Sequence, residues 1–396
     1  MAQLPSASKF DRSWVFLDAS ERQGPMGIFD WIVQAMVVHT PPPPLLPCPL
    51  SAGWELVGEV RLPRLDGAGQ PSGGFSAATY RADRDELWLL SDAPLGQLVG
   101  WGGLGELGKA PLRPLGVVHL RSGKSANLPQ SMDGEGLVLQ GKRAWVASEG
   151  RRSPERPPQL LGFNRRSGEL ELAMPMPAEW QPAPGQGLAS NSGPESLTLV
   201  QRQGKPAVLL MAAESALLQD PPGQVRVLGW PLGTSTESGV GDPKPLQPLR
   251  LPQGDGWGLT DLLALPEAPL EAPLLGLQRR FQAPDQWSNQ LVSYPLPKPI
   301  TPRAKAAPLS PLMIWDLKAI GLSSDNWEAI TPGPPLEDGR PTLLLASDDN
   351  FSPFQANHLA RLAPRRSAAC RPWGRTHSST ESIKPAQGAQ SLSTPR

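Results

Sequence analysis

Acidic side chains stand at the start of short apolar segments that recur along the chain. Four copies carry Glu135, Glu195, Asp261 and Glu328, and an earlier copy carries Ser76 at the corresponding position. Successive positions are 59, 60, 66 and 67 residues apart. Carboxylates that converge repel one another unless a cation, an arginine or shared protons neutralise them. We therefore predict these four acids as catalytic residues and as ligands of calcium, a hard cation that takes oxygen ligands.

A second group of acids follows the next apolar segment of each copy. Asp348 and Asp349 close the fifth copy, and we include both among the predicted metal ligands. The sequence leaves open whether this second group lies level with the first. Its other members are Asp92, Glu149 and Glu214.

Two adjacent arginines, Arg279 and Arg280, occupy the place in the fourth copy where the other copies have an acid. Because a guanidinium pairs bidentately with phosphate, we predict that they bind a small anionic substrate. The alternative is a structural role, in which each arginine forms a salt bridge to an acid of a neighbouring repeat unit. The predicted acids have the same alternative, since each could cap a turn or pair with an arginine.

Residues suited to covalent catalysis are sparse in this sequence. It has no Gly-x-Ser-x-Gly motif and no Arg-His-Gly motif, and it has only four histidines. If the protein hydrolyses esters, these absences favour a metal-assisted water over a covalent serine or histidine. The 37 basic and 37 acidic residues balance, which argues against a large nucleic-acid-binding surface.

The near-constant spacing of the copies indicates a repeat architecture, and each copy is typical of about four short strands. We predict an all-β chain that folds as a single β-propeller with four-stranded blades. Five repeat units are present, so the blade number is five or six. The fifth unit is one strand short, and residues 54–62 form an extra strand. We therefore predict that this N-terminal strand completes the last blade and closes the ring.

The segments that flank the repeats differ from them in composition. We predict a propeller over 52–363, a leader over 1–51 that is disordered or a degenerate signal segment, and a disordered tail over 364–396. No apolar run reaches the roughly 18 residues that span a bilayer. The only cysteines, Cys48 and Cys370, lie in the flanks, which excludes a multi-thiolate zinc site in the propeller.

Two proline-rich segments inside the repeat region lack periodicity. Residues 233–248 are interpreted as a loop. Residues 296–311, rich in proline, lysine and alanine, are predicted to be an insertion between the fourth and fifth blades.

Several repeat motifs, in their order along the chain, resemble the phytase-like family, whose name is "esterase-like activity of phytase". The resemblance covers about 73–363. Its most specific part is the final Asp-Asp-Asn-Phe. The motifs are Gly74-Phe-Ser, Asp133-Gly-Glu-Gly, Gly193-Pro-Glu-Ser-Leu, Thr260-Asp-Leu-Leu-Ala-Leu, Asn326-Trp-Glu-Ala-Ile and Ser347-Asp-Asp-Asn-Phe.

The resemblance implies a β-propeller that hydrolyses a phosphate or carboxyl ester. It also implies a periplasmic or extracellular location, with the cytoplasm as the alternative because the leader is not a clean signal peptide. The first copy departs from the family pattern, since Ser76 and Ala77 stand where other copies have an acid. A non-enzymatic propeller used as a binding scaffold is the alternative function. We expect a monomer.

Overall fold

The computed structural model describes residues 48, 50–65, 69–94, 96–124, 127–128, 132–151, 153, 156–201, 205–233, 239–252, 256–265, 274–284, 286–301, 306–368 and 370. Most of the predicted leader and tail lies outside these ranges. Within them the only helical elements are 3-10 turns, and no helix is long and apolar enough to cross a membrane. The turns are Leu50–Ala52, Leu104–Glu106, Ala178–Trp180 and Lys318–Ile320.

The strands of the described residues form five antiparallel sheets of four strands each, which we call blades 1 to 5. The first strand, β1 (Trp54–Arg61), belongs to blade 5. Blade 1 contains β2 (Phe75–Arg81), β3 (Glu86–Ser91), β4 (Gln97–Gly102) and β5 (Arg113–His119). Blade 2 contains β6 (Gly134–Gln140), β7 (Arg143–Ser148), β8 (Gln159–Asn164) and β9 (Leu170–Pro175). Blade 3 contains β10 (Pro194–Val200), β11 (Val208–Ala213), β12 (Gln224–Pro231) and β13 (Lys244–Arg250). Blade 4 contains β14 (Trp257–Ala264), β15 (Leu274–Gln282), β16 (Gln286–Tyr294) and β17 (Met313–Asp316). Blade 5 contains β18 (Trp327–Gly333), β19 (Thr342–Ser347) and β20 (His358–Pro364), together with β1.

The blades close into a ring, which confirms the predicted propeller and sets its blade number at five. The first strands of successive units, β2, β6, β10, β14 and β18, contact one another in cyclic order. In blade 5, β1 pairs antiparallel with β20, so that Trp54 lies opposite Pro364 and Arg61 opposite His358. The N-terminal strand therefore closes the ring as predicted, and it gives blade 5 the outer strand that makes it four-stranded like the other blades.

A disulfide between Cys48 and Cys370 lies just outside this closing pair of strands. Cys48 is buried, and Leu50 packs into the same apolar cluster as Trp54. The two cysteines that the sequence places in the flanks therefore join the two ends of the described chain.

Two of the outermost strands correct the sequence-based interpretation. Residues 244–250 form β13, although 233–248 was interpreted as a loop. The segment 296–311 precedes β17, so it lies within blade 4 and not between blades 4 and 5. Both β13 and β17 are the outermost strands of their blades, where a sheet tolerates proline. The outer side of β13 bonds to the segment 296–311, since the carbonyls of Pro245 and Pro248 accept from the backbone N–H groups of Ile300 and Leu309.

Apolar side chains fill the space between adjacent blades. One buried cluster includes Trp145 of blade 2 and Trp230 of blade 3, each at most 2% exposed. Near the axis the inner strands approach so closely that glycine is required. A Cβ atom added to Gly136 would lie 2.7 Å from the Cβ atom of Leu197 in the next blade. Tight packing at the axis gives the inner strands a fixed position, and these strands carry the predicted site.

Candidate functional site

The innermost strand of every blade contains a β-bulge near its start. At the bulge one residue has no partner on the second strand, and a bulge of this kind redirects a side chain. The pairing registers place the bulges at the same point in all five blades. The bulge residues are Ser76, Glu135, Glu195, Thr260 and Glu328.

The fourth bulge residue is Thr260, and the sequence-based alignment was wrong by one position in choosing Asp261. Asp261 is paired with Leu277, and its carboxylate accepts hydrogen bonds from the backbone N–H of Leu262 (2.8 Å) and of Ile330 (2.9 Å). Burial raises the pKa of Asp261 well above its usual range, and these backbone donors oppose that rise. Because Ile330 belongs to blade 5, Asp261 ties blade 4 to blade 5. This geometry fits the structural alternative for Asp261.

The second group of acids lies at the same end of the ring as the bulges, which answers the question that the sequence left open. The backbone N–H of Asp92 donates to the carbonyl of Gly74 (2.8 Å), just before the first bulge. Glu149, Glu214 and Asp348 make the equivalent bond in their blades. Arg279 pairs with Gly258 and so occupies the equivalent position in blade 4.

Three carboxylates from blades 1 and 2 form a cluster that can hold a metal ion. Asp92, Asp133 and Glu135 each offer an oxygen atom, and these atoms lie within 4.8 Å of one another. Of the three, only Glu135 was among the predicted metal ligands. Burial, followed by the charges of Glu328 and Asp133, raises the pKa of Asp92 to about 7. Burial also raises the pKa of Glu135, with Glu328 and Asp92 as the strongest neighbours. A bound cation would relieve this repulsion.

The backbone conformation of Asp133 is unusual for a residue with a side chain. Its φ angle is 49°, and the equivalent residue of blade 1, Gly74, has φ 64°. A non-glycine residue in this region is strained, and such strain is concentrated at functional sites. The Asp133 carboxylate is buried and lies 3.0 Å from Nε of Arg151. An Asp at a position where three other copies have Gly (Gly74, Gly193 and Gly258) is a sequence signal that the initial interpretation did not use.

Arg279 projects among these carboxylates, as one of the two predicted arginines should. Its guanidinium donates to Glu328 and Asn326, and it lies 3.5 Å from Glu214. Burial alone would lower the pKa of Arg279, but Glu328 and Glu214 outweigh burial and raise it, so the group stays charged. Arg279 is therefore partly held in salt bridges, as the structural alternative expected.

Arg280 lies on the opposite face of β15. Its guanidinium carbon is 5.1 Å from the centre of the Trp257 ring, and Nη2 donates to Gln282 (3.3 Å). Neighbouring residues in a strand point to opposite faces, so Arg279 and Arg280 cannot grip one anion together. The geometry gives no support for Arg280 as a substrate-binding residue.

The two acids that end blade 5 have different surroundings. Asp348 accepts from the side-chain amide of Asn326 (3.3 Å) and lies in the ring with Asp92 and Arg279. Asp349 instead accepts from the backbone N–H of Gly74 (3.0 Å), and so joins blade 5 to blade 1. Of Asp348 and Asp349, both of which were predicted as metal ligands, only Asp348 therefore lies among the other carboxylates at this end of the propeller.

The carboxylates at this end of the propeller, which we call the acidic ring, greatly outnumber the basic side chains among them. Among the described residues, Asp92, Glu135 and Glu195 have no basic side chain within 4.0 Å. Burial raises the pKa of Glu195 well above its usual range, and Glu135 adds to the shift while Arg279 opposes it. In the described part of the chain, two arginines form salt bridges with these carboxylates: Arg279 with Glu214 and Glu328, and Arg151 with Asp133. The carboxylates of the ring are Asp92, Asp133, Glu135, Glu149, Glu195, Glu214, Glu328 and Asp348.

The sequence of the chain matches one known protein family. Residues 70–351 match the family described as "Phytase-like: Esterase-like activity of phytase". The chain belongs to this phytase-like family. The matched range includes all five bulges and the Asp-Asp-Asn-Phe segment, which confirms the resemblance predicted from the sequence.

Solved structures resemble the phytase-like chain at low sequence identity. A functionally unknown protein from Desulfotomaculum acetoxidans DSM 771 is 10% identical with a TM-score of 0.31, covering 71% of this chain. The phytase-like chain thus spans 65% of that protein's length. A thermostable family-43 glycoside hydrolase is 8% identical (TM-score 0.40, covering 78% of this chain and 94% of that one). A GH62 hydrolase in complex with xylotriose is 10% identical (TM-score 0.41, covering 78% and 96%). No curated protein matches the chain.

Proposed function

We propose that this phytase-like chain hydrolyses ester bonds with the help of a divalent cation held at the acidic end of the propeller. The observation that carries the proposal is the convergence of Asp92, Asp133 and Glu135, whose oxygens lie within 4.8 Å of one another without enough basic side chains to balance them. Calcium suits this set because it takes several oxygen ligands with flexible geometry. When bound, the cation supplies positive charge that polarises a phosphoryl or carbonyl oxygen.

Other residues of the ring supply the remaining functions in this proposal. The guanidinium of Arg279 remains positively charged beside Glu328, and it can orient an anionic oxygen of the substrate. Burial raises the pKa of Glu195 well above its usual range, and we assign its carboxyl as the group that donates a proton to the departing alkoxide. Six of the eight acids thus divide into three cation ligands, one proton donor and two partners of Arg279.

The alternative function is a binding scaffold without catalysis, in which every acid is paired with an arginine. The salt bridges of Arg279 with Glu328 and Glu214 favour that alternative for those two acids. They do not extend to Asp92, Glu135 or Glu195 among the described residues. The unpaired acids are the reason that we prefer the hydrolase.

Export from the cytoplasm is part of the proposal. The family resemblance implies it, and the Cys48–Cys370 disulfide supports it because disulfides persist in oxidising compartments. Thiol labelling of the chain in intact cells and in a fractionated periplasm or medium tests this point. Free thiols in a cytoplasmic fraction would favour the cytoplasmic alternative.

The first experiment is thermal melting of the full chain in chelator and in millimolar calcium, with magnesium, manganese and zinc in parallel. A ligand that binds only the folded state raises the melting temperature, with a stabilisation of about 2.7 kcal/mol at 100 times its dissociation constant. We expect a rise in calcium that is lost in Asp92→Asn and in Glu135→Gln. Asp83→Asn is the matched control, because Asp83 is exposed and distant from the ring.

Hydrolysis is then measured with 4-nitrophenyl phosphate and 4-nitrophenyl acetate. We expect cation-dependent release of 4-nitrophenol from one of the two, which also decides between phosphate and carboxyl esters. Asp92→Asn should remove it and Asp83→Asn should not. A calcium-dependent rise in melting temperature without any hydrolysis would favour the scaffold, and no rise with any cation would remove the metal from the proposal.

A further inference from the structure

The Asp-Asp-Asn-Phe segment after β19 ends in an aromatic residue that the proposed function does not yet use. Phe351 is 50% exposed, whereas the phenylalanines Phe75 and Phe163 are fully buried. Its φ angle is 50°, and that of the preceding Asn350 is 48°. A bulky residue in the left-handed region is a true outlier, and two in succession are held only by their surroundings.

The surroundings of Phe351 fix it in this conformation. Its backbone N–H donates to Asp349 (3.1 Å), and that of Asn350 donates to Asp348 (2.8 Å). Arg64 donates to the carbonyl of Ser352 (2.6 Å) from the segment that follows β1. The backbone of the loop is therefore held by hydrogen bonds both before and after Phe351 in the chain.

The ring of Phe351 lies beside the carboxylate cluster. A Cβ atom built on Gly74 would lie 2.5 Å from Cε2 and Cζ of Phe351 and 2.2 Å from Oδ1 of Asp92. The phenyl edge and the carboxylate therefore meet over one glycine. Oδ1 of Asp92 is buried and has no hydrogen-bond partner among the described residues. The acidic site thus has an apolar wall next to one of its proposed cation ligands.

We propose that Phe351 selects the substrate of this site, so that the ester it takes carries a planar apolar ring, such as a phenyl group, next to the reacting bond. The inference rests on the proposed function and names its substrate class. A ring held against Phe351 removes apolar surface from water and gains from aromatic stacking. A highly phosphorylated polyanion has no group for this wall, and it would face eight carboxylates with two arginines in salt bridges among them.

Binding measurements test the inference without depending on turnover. In saturating calcium, the affinities of phenylphosphonate and methylphosphonate are compared, and those of benzoate and acetate form a second pair. We expect the phenyl member of one pair to bind about tenfold more tightly than the methyl member. The pair that shows this preference also tells a phosphate ester from a carboxyl ester.

Variants of the same loop locate the preference. In Phe351→Ala the ratio should fall to about one, while the calcium-induced rise in melting temperature is retained. Phe351→Leu keeps apolar volume and should give an intermediate ratio, which serves also if the alanine variant does not fold. Phe354→Ala is the matched control, because Phe354 lies three residues away in the same loop and is 96% exposed. Its ratio should equal that of the unchanged chain.

The inference is overturned if neither pair shows a phenyl preference, or if the preference persists in Phe351→Ala. Its failure is distinct from failure of the proposed function. A phenyl preference that depends on Phe351, found in a chain that hydrolyses neither nitrophenyl ester, would leave the apolar wall in place and remove only the hydrolase. Calcium-dependent hydrolysis without the preference would do the reverse.

Discussion

The exchange Asp261→Asn separates a structural acid from a ligand. Asp261 is buried, and its two carboxylate oxygens accept from the backbone N–H groups of Leu262 and Ile330. An amide has the same size, but it replaces one acceptor oxygen by an N–H2 group that faces another donor. Protonation of the carboxyl does not change this reasoning, because a hydroxyl oxygen can still accept.

The expected cost follows from the lost acceptor. A buried N–H without a partner costs about 1–3 kcal/mol, so we expect a loss of about 2 kcal/mol in the free energy of unfolding. Because melting temperature changes less per kcal/mol in larger domains, this corresponds to a fall of roughly 4 °C. Thermal melts in chelator measure the fall. The calcium-induced rise should be the same size as in the unchanged chain, since the carboxylate points into the joint between blades 4 and 5.

Asp92→Asn is the matched exchange within the proposed cation site. Removing a carboxylate whose charge is opposed by its neighbours should leave the melting temperature in chelator unchanged or higher. It should also abolish the calcium-induced rise. The reasoning about the bulge is refuted if Asp261→Asn melts like the unchanged chain in chelator but loses its response to calcium, because Asp261 would then be a ligand.

Three further predictions test the charge, the closure and the arginine of the site. Burial raises the pKa of Glu149 to about 7, so the folded chain holds a proton that the unfolded chain releases. Melting temperature in chelator should therefore fall as the pH rises from about 4.5 to 7, and calcium should flatten the profile; a melting temperature that rises over this range would contradict the shift. Replacing Cys48 and Cys370 by serine should lower the melting temperature, because a disulfide that closes so long a loop contributes up to about 5 kcal/mol to the free energy of unfolding. Thermal melts with and without reductant can check this. Arg279→Lys should raise the KM for an anionic substrate, because an ammonium group cannot serve several oxygens in a plane, whereas Arg280→Lys should leave KM unchanged.

The five blades could be predicted because the repeat is carried by inner and middle strands, which are apolar and closely spaced. The missed strands are outer ones. The β13 strand contains Pro245 and Pro248, and β17 has only four residues, so neither shows a clear alternation of polar and apolar side chains. The two prolines of β13 and the short length of β17 are what hide the strand pattern.

The positions of three of the four predicted bulge acids agree with the structure, and the fourth is displaced by one residue. In blades 2, 3 and 5 the acid occupies the bulge, but in blade 4 Thr260 occupies it and the acid follows. A shift of one residue sends a strand side chain to the other face. Asp261 follows the polar Thr260 and precedes the apolar Leu262, so the local sequence allows either Thr260 or Asp261 to occupy the bulge. Only the pairing of Leu259 and Asp261 with β15 decides it.

The two acids of the carboxylate cluster that the metal prediction omitted show a different limit. Asp92 and Asp133 lie 41 residues apart, on different blades, and their contact depends on the packing of blade 1 against blade 2. The alignment of copies held a usable sign, since Asp133 corresponds to Gly74 and Gly193. A non-glycine residue at positive φ is uncommon, which marks Asp133 as a candidate functional residue.

The repeat explains how one end of a nearly symmetric ring can become a specific site. Each blade offers the same backbone positions at this end: a bulge residue on the inner strand, the residue two before it, and the residue opposite that one. The third position follows the second strand in four blades and lies within β15 in blade 4. These positions are held by backbone hydrogen bonds, so their side chains can differ without disturbing the blade. Blades 1 and 2 fill them with the cation cluster, and blade 4 places a guanidinium there, while the loop after β19 adds the ring of Phe351. Because no two blades carry the same set, the proposed site is asymmetric although the backbone around it repeats.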